Sequence, residues 1–207
     1  MTTQAGAAKP KHRKKEVPTY LIRDEIDGEL FYYAGYQDVL SNKKTAEEIM
    51  CSSTLQSWII GYILKIFYTQ IGDEKYVALS NEVGSHLGKK DNLSLDIGFF
   101  DKNVLTPRHI NTHYAAVPPL LSLEVDIKID TNKLPEMDYV HKKTKKLLEK
   151  GTSKVVWIFT RSQRVLIATP ENDWLNVDWN RDIELLDQHT FNIGKAMQEA
   201  GIKIEEA

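Results

Sequence analysis

Acidic residues inside apolar segments are the first feature of this sequence that could do chemistry. Residues 120–128 (LLSLEVDIK) are apolar enough for a strand buried on both faces, yet they include Glu124 and Asp126. Residues 93–100 (LSLDIGFF) are similar and carry Asp96. Burying such carboxylates is costly unless a positive group meets them. The sequence therefore predicts a lysine, an arginine or a metal ion beside these acids.

The spacing of the acids indicates how they could work together. Strand side chains alternate, so Glu124, Asp126 and Lys128 are expected on one face, about 6.6–7 Å between neighbours in that row. If the strand of Asp96 lies next to theirs, three carboxylates converge at one end of the sheet. Mg²⁺ takes oxygen ligands at about 2.0–2.1 Å and usually keeps several waters. Such a site suits metal-assisted phosphodiester hydrolysis, in which a nearby lysine orients water or offsets developing charge.

Simpler interpretations exist for each of these residues. Asp96 and Glu124 could be structural carboxylates bonded to backbone or lysines, and Asp126 could be a strand-end charge paired with Lys128. Four lysines are spaced closely on a predicted helix, at positions 142, 143, 145 and 146. They could form a solvated face that complements the helix dipole, or a stripe that faces phosphates.

The elements that would position these residues change period along the chain. Residues 20–26 and 29–34 flank Asp27-Gly28, which is typical of a tight hairpin turn. Residues 45–68 repeat apolar side chains at helical spacing, with Asn42 or Ser52 as a candidate cap. Further strands are predicted at residues 76–79, 93–100, 120–128, 154–160 and 164–169, and a helix at residues 136–150.

The remaining segments carry weaker signals. Residues 80–92 are predicted as turns, with a brief strand at Glu82–Val83 as the alternative, and residues 171–180 as a loop. One short helix is predicted around residues 192–200. The strand–helix–strand unit over residues 120–160 implies a right-handed crossover and a partly parallel sheet. The fold class predicted is therefore α/β, with a mixed β-sheet flanked by helices.

Composition bounds the class of protein. The chain has 207 residues, 42% of them hydrophobic and 27% charged, which favours a single domain over residues 19–207. Residues 1–18 are small, polar and basic, and predict a disordered tail that is either a solubilising leader or an arm for phosphates. The net charge of −2 excludes a polycation, so any nucleic-acid contact must come from local patches. A single Cys51 and the lack of a long apolar run favour a cytoplasmic protein without a membrane segment.

Several short motifs occur in a characteristic order. They are the opening hairpin from Tyr20 to Gly28, Leu95-Asp96-Ile97, Leu121-Ser122-Leu123-Glu124-Val125, and then Asp138, Lys142 or Lys143, Gly151 and Trp157. This order resembles the PD-(D/E)XK nucleases of the restriction-endonuclease-like type, and more narrowly the Uma-two family of endonucleases. The chain departs from the family pattern at three points: no Pro precedes Asp96, residues 53–58 lack the His often seen in the family's first helix, and Asp126 stands where a lysine usually follows the Glu.

The resemblance implies a restriction-endonuclease-like fold and a Mg²⁺- or Mn²⁺-dependent endonuclease that acts on DNA, with a homodimer as the expected assembly. It makes Asp96 and Glu124 metal ligands, with Asp126 as an additional acid. Lys143 or Lys142 would be the assisting lysine, and Lys128 is a third candidate.

Two other functions fit the same sequence. One is a catalytically degenerate member of the fold that binds DNA or a protein partner without cleaving it. The other is an interaction module that oligomerises through the apolar hairpin. A lysine ammonium close to the Glu124 carboxylate would favour catalysis, and its absence there would favour the degenerate module.

Overall fold

One large mixed sheet organises the protein in the computed structural model, which describes residues 17–132 and 134–203. The strands are β1 Ile22–Ile26, β2 Glu29–Tyr32, β3 Tyr76–Gly88, β4 Asp91–Asp101, β5 Leu121–Val125, β6 Lys154–Phe159, β7 Arg164–Ala168, β8 Leu175–Asp178, β9 Ile183–Leu186 and β10 His189–Phe191. Their order is β2-β1-β4-β5-β6-β7-β8, with β3 paired to β4, while β9 and β10 form a separate hairpin. Strands β5 and β6 run parallel and the other neighbours antiparallel.

Helices cover the two faces of this sheet. They are α1 Tyr36–Leu40, α2 Ala46–Met50, α3 Thr54–Ile66, α4 Glu136–Glu149 and α5 Ile193–Glu199. Helix α3 continues into a π-helical turn at Phe67–Ile71, and short 3₁₀ turns occupy Thr19–Leu21 and Pro107–His109. Helix α4 connects the parallel strands β5 and β6, which confirms the crossover that the sequence predicts.

Alternation along β6 separates two hydrophobic cores. Val156 and Ile158 pack in one core with residues of α3 and α5, whereas Val155 and Trp157 pack in the other with residues of α4. Successive side chains of a strand point to opposite faces, so α3 and α4 lie on opposite sides of the sheet. The mixed α/β class with flanking helices is thereby confirmed.

The opening hairpin and the main strands agree with the sequence prediction. Asp27 and Gly28 both have positive φ, at 54° and 78°, as a tight hairpin turn requires. The long helical segment is divided into α2 and α3, and the predicted caps Asn42 and Ser52 are wrong. Thr45 and Ser53 cap these helices instead, each within a capping box.

Three segments are more regular than the sequence predicts. Residues 80–92, predicted as turns, belong mostly to β3, whose pairing with β4 continues past a bulge between Ser80 and Val83. The predicted loop at residues 171–180 contains β8, and residues 183–191 form the β9–β10 hairpin. Polar residues and a bulge interrupt the pattern of β3, and the other three strands are only three or four residues long. Pairing with neighbouring strands rather than a local pattern therefore determines their conformation.

Strand β5 is shorter than predicted, and this changes the position of Asp126. The strand ends at Val125, and Asp126 has a φ of 59° in the left-handed region. The row of Glu124, Asp126 and Lys128 on one strand face is therefore wrong, because the backbone turns after Val125.

The ends of the chain contribute little to this description. Residues 1–16, most of the predicted basic tail, lie outside the described residues, as do residues 204–207. Within the described part of the chain, no helix combines the length and the apolar character needed to cross a membrane.

Strand β4 places the acids at a fork in the sheet. It pairs with β1 at Asn92 and with β5 from Ile97 to Phe99, whereas β3 follows its other edge. Residues 93–96 of β4 therefore lie where β1 and β5 separate. Polar side chains from all three strands can enter this fork.

Candidate active site

Asp96 and Glu124 lie together in the fork. The pairing of Ile97 with Leu123 places Asp96 of β4 next to Glu124 of β5, and both side chains are about 1% exposed. Their inward oxygens face the same nitrogen: Nη2 of Arg23 lies 3.3 Å from Asp96 Oδ1 and 3.8 Å from Glu124 Oε2. The structure thus brings together the two acids that the sequence singles out.

Asp96 is held as a carboxylate by several donors. Its Oδ2 accepts a hydrogen bond from the Val125 backbone N–H at 2.8 Å, and its Oδ1 accepts one from Lys128 Nζ at 3.0 Å. Burial acts to raise the pKa of Asp96, but Arg23 and Lys128 outweigh it and hold the pKa below its ordinary value. Lys128 is itself fixed by donating to Ser52 Oγ at 3.0 Å, just before helix α3.

Glu124 depends on a buried lysine of helix α4. Its Oε2 lies 3.0 Å from Lys143 Nζ, and its Oε1 accepts a hydrogen bond from Ser122 Oγ at 3.2 Å. Complete burial raises the pKa of Glu124 to about 7, although Lys143 and Arg23 oppose this rise. The lysine ammonium that the catalytic hypothesis requires near Glu124 is therefore present.

Helical phase distinguishes the two candidate lysines of α4. Lys143 is fully buried, and besides Glu124 it donates to the Ser94 carbonyl at 2.6 Å. Lys142 points to the surface, where it forms an ion pair with Glu29 and lies near the ring of Phe31. One residue on a helix changes direction by about 100°, so neighbouring positions cannot share the site.

The third predicted acid is turned away from the other two. Both oxygens of Asp126 accept hydrogen bonds from Thr160, one from its backbone N–H and one from its hydroxyl, each at 2.7 Å. This arrangement connects the end of β5 to the end of β6. It gives Asp126 a clear structural role at the positive-φ turn.

Sequence reasoning missed three charged residues of the site: Arg23, Asp24 and Glu82. Asp24 accepts from the Ser94 backbone N–H at 2.7 Å and from the Tyr139 hydroxyl, and lies 3.6 Å from Lys143 Nζ. A signal existed in the sequence, because three consecutive charged residues, Arg23, Asp24 and Glu25, lie inside the predicted strand over residues 20–26. Glu82 had no such signal, since it lies in a polar segment.

These groups form one buried charge cluster that is almost neutral. Its members are the cations Arg23, Lys128 and Lys143 and the carboxylates Asp24, Glu82, Asp96 and Glu124. When every group is ionised, three positive charges against four negative ones leave the cluster one negative charge in excess. Pairing of this kind offsets the desolvation cost that each isolated charge would carry.

Asp96 and Glu124 offer oxygen ligands of the kind that a hard cation takes. Asp96 Oδ1 and Glu124 Oε2 face the same position between the two strands, and Nη2 of Arg23 occupies that position. Mg²⁺ is commonly bound by one or two carboxylates together with waters and substrate phosphates, so the two acids fit it chemically. Within the described ranges, no group of three or more His, Cys, Asp or Glu side chains is arranged to hold a metal ion. A cation would have to take the place of the Arg23 nitrogen.

Comparisons with known proteins support the fold. No protein-family model matches the sequence, and no curated protein matches it. The fold is similar to that of a crystal structure from Anabaena variabilis described as a "putative nuclease belonging to DUF820". The two share 15% sequence identity with a TM-score of 0.63, over 87% of this chain and 92% of the other. At this identity the likeness shows a shared mixed α/β fold.

Proposed function

We propose that this protein is a metal-dependent endonuclease that hydrolyses DNA phosphodiester bonds, of the PD-(D/E)XK type. The observation that carries the proposal is that the carboxylates of Asp96 and Glu124 both face Nη2 of Arg23, with Lys143 Nζ 3.0 Å from Glu124. The fold it shares with a protein described as a "putative nuclease" supports the same class. Perturbed, buried carboxylates are also more frequent at active sites than elsewhere.

Asp96 and Glu124 are the residues that would hold Mg²⁺ or Mn²⁺. When bound, such an ion polarises the phosphate and lowers the pKa of a bound water. Groups of the protein itself position the two acids. The Val125 backbone N–H and Lys128 orient Asp96, and Lys143 orients Glu124. Arg23 competes with the ion for the same two oxygens, which predicts modest metal affinity in the free protein.

Lys128 and Lys143 have different roles in the proposed site. Lys143 is fully buried between Glu124, Asp24 and the Ser94 carbonyl, so it acts as a positioning residue. Lys128 is less deeply buried and contacts both Asp96 and Glu82. We assign to Lys128 the contact with the phosphate and to Lys143 the support of Glu124.

A catalytically degenerate DNA- or protein-binding module of the same fold is the second candidate. It is favoured by Arg23, whose guanidinium lies between the two acids and forms an ion pair with each of them.

The family resemblance also implies a homodimer, and sedimentation velocity of the purified protein tests that part of the proposal.

Plasmid nicking separates the two candidates. With Mg²⁺ or Mn²⁺ the wild-type protein is expected to convert supercoiled plasmid to open circles, and EDTA is expected to abolish this conversion. Gel electrophoresis of the plasmid measures nicking, and a DNA-binding measurement on the same protein preparation measures affinity. Binding without nicking, in either metal, would contradict the nuclease and support the degenerate module.

A further inference from the structure

Glu82 is the most exposed member of the charge cluster. Its side chain is 30% exposed, whereas the side chains of Arg23, Asp96 and Glu124 are 1–2% exposed. Glu82 lies in the bulge of β3, where Asn81 and Glu82 have φ of 72° and 55°. Two successive non-glycine residues in the left-handed region are strained, and such strain is concentrated at functional sites.

Three donors converge on the Glu82 carboxylate. Arg23 Nη1 donates to Oε1 at 2.8 Å, the Tyr33 hydroxyl donates to Oε2 at 2.8 Å, and Lys128 Nζ lies 3.7 Å from Oε1. The three donors come from β1, from the end of the hairpin and from the segment after β5. They form a concave set of a guanidinium, a hydroxyl and an ammonium around one anion.

This set of donors suits a phosphodiester as well as a carboxylate. Both anions carry one negative charge and present two oxygens to donors, and arginine recognises both with its planar fork. An exchange of one for the other would leave the charge of the cluster unchanged. Arg23 also joins this position to the two acids, because its Nη1 contacts Glu82 and its Nη2 faces Asp96 and Glu124.

The position opens towards a cavity. Arg23, Tyr33 and Glu82 line a cavity of about 440 Å³ that also includes Glu25 and Ser94. Glu82, with 30% of its side chain exposed, therefore lies beside open space that a ligand could enter.

We propose that Arg23, Tyr33 and Lys128 form the binding seat for a backbone phosphodiester of nucleic acid, and that Glu82 occupies this seat in the free protein. The inference deepens the proposed function, on which the identity of the ligand as nucleic acid rests. Nucleic acid binds by displacing the Glu82 carboxylate, and the bulge of β3 is the segment that moves with it.

The test measures binding of a short fluorescent DNA duplex by anisotropy, in EDTA and at one low salt concentration. Glu82→Ala is expected to lower the dissociation constant by about tenfold, because it removes the carboxylate from the seat and leaves Arg23, Tyr33 and Lys128 available to a phosphate. Glu82→Gln, which keeps the shape but loses the charge, is expected to give a smaller gain. Thermal denaturation of each variant confirms that it is folded, and Glu82→Gln serves alone if the alanine variant is not.

Glu25→Ala is the matched control. Glu25 lines the same cavity, and its substitution by Ala removes the same charge. Its carboxylate, however, accepts a hydrogen bond from Asn92 and not from the donors of the seat. Its gain in affinity is expected to stay below about threefold, as for a general change in electrostatic potential. Adding Tyr33→Phe to Glu82→Ala is expected to reverse part of the gain, because the phenol hydroxyl then no longer donates to phosphate.

The outcomes distinguish this inference from the nuclease itself. Equal gains for Glu25→Ala and Glu82→Ala, or no gain for either Glu82 variant, would overturn the seat whether or not the protein cuts DNA. A gain specific to Glu82 that depends on Tyr33 supports the seat even if plasmid nicking is absent, since the assay contains no metal. Inorganic phosphate that competes with the duplex in Glu82→Ala, at constant ionic strength, would further place a phosphate group in the seat.

Discussion

Metal-dependent plasmid nicking by the Asp96→Asn variant is expected to be at least roughly 100-fold slower than nicking by the wild type, which corresponds to about 2.7 kcal/mol of lost transition-state stabilisation. Asn keeps the shape of Asp96 and an acceptor for the Val125 N–H, but it removes one of the two carboxylates that face Arg23 Nη2. The measurement is the initial rate of open-circle formation with excess Mg²⁺. Circular dichroism of the same samples monitors the fold.

Asp126→Asn is the matched control for this loss. It makes the same chemical change two residues from Glu124, at a carboxylate that is bonded to Thr160 instead of the fork. Its nicking rate is expected to stay within about threefold of the wild type, which is less than 1 kcal/mol. Equal losses in both variants would reject the two-acid site, and loss in Asp126→Asn alone would restore Asp126 as the essential acid.

Lys143→Met is expected to lower the free energy of unfolding by about 3–5 kcal/mol, because it leaves two buried carboxylates without their main cation. Lys143 Nζ lies 3.0 Å from Glu124 and 3.6 Å from Asp24, and its side chain is fully buried. Urea denaturation followed by tryptophan fluorescence measures the loss. Its neighbour provides the control: Lys142→Met removes a surface ion pair and is expected to change stability by less than about 0.5 kcal/mol.

The pH dependence of Lys143→Met gives a second, independent readout. Burial already raises the pKa of Glu124 from 4.5 to about 7, and loss of Lys143 raises that pKa further. A carboxyl group whose pKa is higher in the folded state binds more protons there, so stability falls as the pH rises above 4.5. Below about pH 7 Glu124 is protonated in both folded proteins, so the deficit of the variant relative to wild type is expected to be constant there and to grow as the pH rises above about 7. A deficit independent of pH would mean that Lys143 contributes by packing alone.

The sequence predicts the parts of this site whose patterns are local. Apolar runs in β4 and β5 draw attention to the acids inside them, and the period of α4 indicates a helix with its lysines. It could not choose between Lys142 and Lys143, because that choice depends on how α4 is rotated against the sheet. The extent of β5 was also overestimated, since the turn at Asp126 is held by Thr160, 34 residues later in the chain.

The other half of the site comes from contacts that no local pattern records. Arg23 meets Asp96 over a separation of 73 residues, and Glu82 meets Arg23 over 59. Glu82 lies in a polar stretch that resembles a loop, yet pairing with β4 makes it part of a long bulged strand. The predicted requirement for a positive group beside the acids is met by three cations, of which Arg23 was not foreseen.

Titration of Mn²⁺ by isothermal calorimetry tests most directly whether two distant acids create one cation site. The wild-type protein is expected to bind about one ion per chain through its two carboxylates, and Asp96→Asn and Glu124→Gln are each expected to bind at least about tenfold more weakly. Absence of Mn²⁺ binding by the wild type, or equal binding by all three proteins, would contradict this account.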